Sequence, residues 1–245
     1  ENIGQFAVDN NFQADFQTGQ LSHTLLLGLD HQRSDSNARW RWGSAGVPSS
    51  NIHNPVYGQD FSNVQYFDMY DYDQKTQQTG LYAQDQMALD NWRLTLGGRE
   101  DWVHTGTTFH NQGDATNTQR DKKFSGNAAL SYVFDSGLTP YISYAESFQA
   151  ATGSAVNSTD AFKPTEGKQY ELGIKYQPPG SKSLFTAAVF DLTQQNMSVT
   201  EGGVTRQVGE VRVKGLELEA TSDVSENLKL VGSYTYNDSE ITKGT

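Results

Sequence analysis

The feature that most limits what this chain can fold into is a strict alternation of apolar and polar residues over stretches about a dozen residues long. Phe6, Val8, Phe12, Ala14 and Phe16 fall on one parity, with Gln5, Asp9, Gln13 and Asp15 on the other. Trp92, Leu94, Leu96 and Trp102 oppose Arg93, Thr95, Arg99 and Asp101 in the same way. Phe124, Ala128, Leu130, Tyr132 and Phe134 alternate with Ser125, Asn127 and Ser131, and Tyr170, Leu172, Ile174 and Tyr176 with Gln169, Glu171 and Lys175. A period of two sends successive side chains to opposite faces of a β-strand, and helical spacing fits these stretches less well. Each is a strand with one oily face and one wet face.

Ten such strands are expected, at 5–17, 21–34, 75–88, 92–105, 123–134, 140–149, 166–177, 183–194, 204–221 and 228–239. Short turns at Thr18–Gln20, Leu89–Asn91, Asp135–Thr139, Pro178–Lys182 and Ser222–Asn227 alternate with longer loops at 35–74, 106–122, 150–165 and 195–203. Short turns at one end and long loops at the other mark an all-β, antiparallel up-and-down meander of the outer-membrane type. A soluble sandwich uses strands of about five or six residues, whereas these are long enough for a tilted bilayer crossing. The mean hydropathy of −0.66 is no objection, because every second residue would face a polar interior. Leu94, Leu96, Leu172, Ile174, Leu216 and Leu218 are expected to point outward, and Arg93, Arg99, Glu171, Lys175, Glu217 and Glu219 inward. Tyr132, Phe134, Tyr141, Tyr144, Tyr176, Tyr234 and Tyr236 lie near strand ends, where an aromatic girdle meets the membrane interface.

Composition removes other classes. With 18 basic against 29 acidic residues the net charge is −11, which disfavours nucleic acid as a partner. The absence of cysteine excludes disulfides, thiolate metal sites and thiol nucleophiles. No basic-then-apolar signal segment opens the chain, so Glu1 reads as an internal cut or a mature start.

Five segments then occur in a telling order: Gln78–Gln86 (QTGLYAQDQ), Leu96–Asp101 (LGGRED), Thr139–Phe148 (TPYISYAESF), Lys163–Lys175 (KPTEGKQYELGIK) and Val213–Ala220 (VKGLELEA). Together they resemble the paired strands of TonB-dependent siderophore receptors. The likeness is strongest to the hydroxamate branch, the ferrichrome and ferrioxamine receptors, in which Val47-Pro48 and Asn54-Pro55-Val56 also find counterparts. The resemblance implies a plugged barrel of about 22 strands in the bacterial outer membrane that imports ferric siderophore with energy from TonB. Residues 1–245 are expected to form a section of that barrel, without its plug domain, TonB box and remaining strands. The first and tenth strands should then not pair with each other. The implied partners are a ferric hydroxamate siderophore, the TonB complex through the plug, and outer-membrane lipid and lipopolysaccharide. Iron enters only as part of the ligand, and no cofactor is implied.

The segment 35–74 concentrates Trp40, Trp42, Tyr57, Phe61, Tyr66, Phe67, Tyr70 and Tyr72. Flat aromatic walls suit a compact, largely neutral ferric hydroxamate. Trp40, Trp42, Tyr57, Tyr66 and Tyr70 are the expected ligand-binding residues, and the resemblance places Trp42 at an aromatic contact of the ferrichrome branch. Packing of the loop against its neighbours is the alternative role for the cluster. Asp68, Asp71 and Asp73 lack calcium-loop spacing and read as a solvated acidic loop. The five histidines show neither metal-ligand nor triad spacing, so neither catalytic nor metal-binding residues are expected. Rival readings are an outer-membrane enzyme using His104 with Asp101 or Glu100, which lacks a nucleophile, a passive porin, and a soluble carbohydrate-binding β protein.

Overall fold

A computed structural model describes residues 2–150, 162–201, 204–225 and 228–244. Ten strands form one sheet in sequence order: β1 (Asn2–Thr18), β2 (Leu21–Ala45), β3 (Gln65–Leu89), β4 (Trp92–Phe109), β5 (Ala115–Tyr132), β6 (Leu138–Gln149), β7 (Thr165–Tyr176), β8 (Leu184–Glu201), β9 (Val204–Ser225) and β10 (Leu228–Lys243). The only helical element among the described residues is a single 3-10 turn at His110–Gln112. β1 and β10 are the two edges of the sheet and do not pair with each other. The expected meander is what forms.

Strand lengths depart from expectation. β2 and β3 each run 25 residues, so most of 35–74 is strand and only 46–64 is loop. β4 and β5 likewise extend to Phe109 and from Ala115, and β8 runs to Glu201, so 106–122 and 195–203 are largely strand too. A tilted bilayer crossing needs about 9–11 residues, so β2 and β3 carry more than a dozen beyond that need. In these added portions the period-two signature survives only in short runs, such as Arg39–Trp42 and Tyr70–Asp73, because nothing enforces it where both faces meet water. Of the expected loop at 150–165, residues 151–161 lie outside the described residues.

The chain divides into two compact units. The first comprises Glu1–Ala7, Gln32–Gln78 and Val103–Arg120; the second comprises Val8–His31, Thr79–Trp102 and Asp121–Thr245.

Within the second unit the antiparallel register sorts the side chains. Leu172 stands opposite Ile142 and Val189, Val189 opposite Leu216, and Leu216 opposite Tyr236. The next row is Pro140, Ile174, Ala187, Leu218 and Tyr234. Directly opposed residues share a face, so these rows make one apolar belt, as expected for Leu172, Ile174, Leu216 and Leu218. The belt ends abruptly: Tyr170 is level with Asp191, Lys214 and Asp238, and Lys168 with Glu146, Arg212 and Glu240. The other face carries Ser143, Glu171, Phe190, Gly215 and Asn237 in one row and Lys175, Thr186, Glu219 and Ser233 in another, polar apart from Phe190.

No hydrophobic core covers the belt. Leu172, Val189, Leu218 and Tyr236 are all exposed, and among the described residues no large side chain is fully buried. Leaving that apolar area in water forfeits about 25 cal/mol per Å², so the stable setting for the belt is hydrocarbon.

The girdle is only partly where it was expected. Trp92, Tyr132 and Phe134 pack edge to face near the short turns, with centroids 4.9 and 4.7 Å apart. Tyr144 and Tyr170 pair at the far limit of the belt, 4.9 Å apart. Tyr141 belongs to the opposite face: it sits across from Gly173, its hydroxyl donates to Glu171 at 2.7 Å, and the Lys175 ammonium lies over its ring. Its odd position in β6 puts it among the wet residues. Tyr234 and Tyr236 fall inside the belt rather than at its border.

Candidate functional site

The first unit holds the aromatic segment, and its β2 portion reads Arg39, Trp40, Arg41, Trp42. Alternation along a strand puts the two arginines on one side and the two tryptophans on the other. Arg39 makes a two-pronged pair with Asp68 of β3, both contacts at 3.1 Å, and also reaches Asp71 at 3.2 Å. Arg41 approaches Asp68 at 3.4 Å. Of the acids read as a solvated loop, all three are strand residues, and Asp68 and Asp71 hold β2 against β3. Trp40 and Trp42 are 57% and 55% exposed.

The loop that follows has a closed neck. Gly46 has φ +72°, and a Cβ there would lie 2.4 Å from the Asn63 carbonyl oxygen, so only glycine fits this turn. Val47, Val64 and the Tyr66 ring close around Gly43, which places Tyr66 at the base of the loop. Inside it, the Gln59 amide donates to the carbonyls of Ser49 and Val56 at 3.4 and 3.2 Å. Asp60 accepts the Ser62 backbone N–H and hydroxyl, both at 2.8 Å, and these donors hold its carboxyl below the usual range. Tyr57 stands on this loop at 88% exposure. Among the described residues no ring contact joins Trp42, Tyr57 and Tyr66. Trp40 and Trp42 share a strand side, Tyr66 lies at the neck, and Tyr57 stands on the loop. Tyr70 is on β3, with its side chain outside the described residues.

The β4–β5 tip is tied to β3 by charge. His110 contacts Asp114 at 2.6 Å and Asp73 at 3.2 Å, and the two carboxylates push its pKa up. The Asn111 amide donates to the Met69 carbonyl at 3.3 Å. Beneath, Gln74 donates to Thr107 at 3.0 Å, and Thr76 lies 3.4 Å from Thr105. Val103, Thr105 and Thr107 are the buried positions of this unit.

The second unit carries a polar network on its wet face that pattern reading reached only in part. Arg99 is clamped by Asp30 and by Asp101, the latter at 2.7 and 2.8 Å, with Asp101 only 3% exposed. The guanidinium lies 5.7 Å from the Tyr82 ring centroid, and the Tyr82 hydroxyl donates to Asp9 at 3.0 Å. Parity marked Asp9, Arg99 and Asp101 as wet, but not that three strands converge on one cation.

His104 accepts from Arg120 at 3.3 Å, Asp101 is held by Arg99, and Glu100 meets Lys122 at 3.4 Å. No cluster of three or more metal-binding side chains occurs among the described residues.

Residues 2–245 match the model of the family described as TonB dependent receptor-like, beta-barrel. The chain is 37% identical over its whole length to the ferrioxamine B receptor of Salmonella typhimurium and 39% identical to the ferrichrome outer membrane transporter/phage receptor of Escherichia coli. It is 39% identical, over 96% of its length, to the ferrioxamine receptor of Yersinia enterocolitica. The chain spans about a third of each relative, 34% by residue count. Among solved structures, the siderophore receptor PiuA of Acinetobacter baumannii superposes with TM-score 0.80 at 22% identity, over 98% of this chain and 38% of that one. The ferric-catecholate import receptor Fiu of Escherichia coli gives 0.78 at 21%, over 99% and 38%. Likeness at this level of identity concerns the fold.

Proposed function

This chain belongs to the TonB-dependent receptor β-barrel family, and from that premise we propose that the receptor containing it binds a ferric hydroxamate siderophore at its outer surface and imports it with energy from TonB. It is an outer-membrane protein of a bacterium, which accords with the lipid-ready belt. The observation that carries the substrate class is graded similarity. Identity is 37–39% to relatives named for ferrioxamine and ferrichrome, and falls to 28% for a metal-pseudopaline receptor and 25% for a catecholate siderophore receptor. Passive diffusion and soluble sugar binding are not favoured by these relatives.

In this reading Trp40, Trp42, Tyr57, Tyr66 and Tyr70 contribute aromatic walls to the ligand site, with Trp42 the principal contact. Flat rings bury large apolar area with little loss of side-chain freedom, which suits a ligand whose iron is wrapped in a carbon skeleton. Iron enters as cargo inside the ligand, TonB engages a plug domain, and lipopolysaccharide surrounds the outer rim. No catalytic step is assigned to any residue. The test is growth of a siderophore-deficient host, with the full receptor as its sole uptake route, on ferric ferrioxamine B, ferrichrome or a ferric catecholate. Growth on the hydroxamates alone supports the proposal. Growth on the catecholate alone overturns it.

A further inference from the structure

The apolar belt of the second unit is not uniformly filled. Across β7, β8, β9 and β10 one row runs Tyr176, Phe185, Ala220, Gly232, and the next, farther from the short turns, runs Ile174, Ala187, Leu218, Tyr234. Ala187, Ala220 and Gly232 therefore form a low diagonal floor, between the stacked Tyr176 and Phe185 rings on one side and Leu218 and Tyr234 on the other. The groove measures about 540 Å³. Thr186, Glu219 and Ser233, from the row between, belong to the wet face by alternation. Beyond the groove, towards the turns, Leu230 stands opposite Ser222, whose hydroxyl meets that of Ser183 at 3.0 Å.

We propose that this groove is a resident binding site for one acyl chain of a phospholipid. The inference rests on the outer-membrane reading above and goes beyond it by assigning a defined lipid position. Three observations commit it to that occupant. The groove is continuous with the belt that only hydrocarbon can cover, so the adjoining phase is lipid tail. Its floor spans three strands set about 4.8 Å apart, wide enough for one extended chain between the aromatic and aliphatic walls. It lies in the half of the belt nearer the short turns, the periplasmic side of such meanders, where the leaflet is phospholipid. A chain lying here trades lipid–lipid contact for contact with rings that cannot move away, so it exchanges more slowly than its neighbours.

Filling the floor is sterically free. A Cβ added at Gly232 meets nothing within 4 Å, so Gly232→Leu should occupy the groove without disturbing strand pairing. The experiment uses the full receptor, saturated with phosphatidylethanolamine in detergent and then delipidated stepwise, with retained lipid counted by native mass spectrometry. Wild type should keep one phospholipid after the bulk is gone. Gly232→Leu should lower that retention about tenfold, the loss expected when a few methylene contacts are forfeited. Val189→Ala, elsewhere on the belt, should leave it unchanged. Equal retention by wild type and Gly232→Leu, or none by wild type, overturns the site. A receptor that stays folded and monodisperse without detergent would instead overturn the outer-membrane reading.

Discussion

The two units solve the same problem, holding long strands side by side, by opposite means. In the second, the faces of the sheet differ in solvent, and an apolar belt of Ile142, Leu172, Val189, Leu216 and Tyr236 opposes a row of Ser143, Glu171, Phe190, Gly215 and Asn237, polar apart from Phe190. In the first, neither side of β2 is apolar throughout, and cohesion comes from local polar ties: Arg39 to Asp68 and Asp71, His110 to Asp73 and Asp114, Gln59 across its loop. The difference teaches that partition between lipid and water fixes which face is which in the second unit, while the first relies on individual hydrogen bonds and ion pairs. Such bonds contribute little each, so that region is free to vary.

The sharpest way to break this comparison is to place one charge in each unit. Leu218→Arg puts a cation on the belt and should destabilise the membrane-inserted receptor by about 2–4 kcal/mol, depending on depth. Asn37→Arg, at an exposed position of the first unit, should stay within about 0.5 kcal/mol of wild type. Urea unfolding of both variants in phospholipid vesicles measures the contrast, and equal losses would show that the belt does not face lipid.

The wet face of the second unit comes next. Arg99→Ala leaves Asp30 and the buried Asp101 without their cation. The expected loss is on the order of 2 kcal/mol, below the 3–5 typical of fully buried pairs because Arg99 keeps some contact with water. Arg99→Lys should recover part of it, since one ammonium cannot fork between two carboxylates. The same unfolding assay reads both changes.

In the first unit the expected effect is on affinity rather than stability. Trp42→Ala should weaken binding of ferric ferrioxamine or ferrichrome by about 2 kcal/mol, roughly thirtyfold, as for a desolvated aromatic hot spot. The barrel should fold normally. Equilibrium binding in detergent tests this, and unchanged affinity for both ligands would leave Trp42 as a packing residue only.

The smallest effect is a pH dependence at the β4–β5 tip. His110 gains two carboxylate partners on folding, so its folded pKa lies above the unfolded value near 6.5. The ordering it supplies is fully present below the unfolded value and is lost as pH rises through the folded one. Hydrogen exchange at residues 109–115, corrected for intrinsic pH dependence, should therefore be better protected on the acid side. Replacing His110 with Gln should flatten the profile.

How much of this was legible follows the same division. Leu172, Ile174, Leu216 and Leu218 could be assigned to the oily face from parity alone, because lipid on one side and water on the other write themselves into every second residue. Arg99 could be marked as wet by the same rule. Tyr141 was misplaced when aromatic character was given more weight than its odd position. The strand portions at 35–45 and 65–74 alternate only in short runs, Arg39–Trp42 and Tyr70–Asp73, too brief to define strands from pattern alone.

The sequence by itself determined the class of fold, the order of pairing and the two faces of the sheet, because these depend on local alternation and turn length. Tertiary structure alone decided that Trp40 and Trp42 ride a strand rather than a loop, that Asp68 and Asp71 clamp arginines, and that Asp30 and Asp101 meet on Arg99. Each depends on which residues of different strands come level, and cross-strand register is set by hydrogen-bonded pairing over the whole sheet.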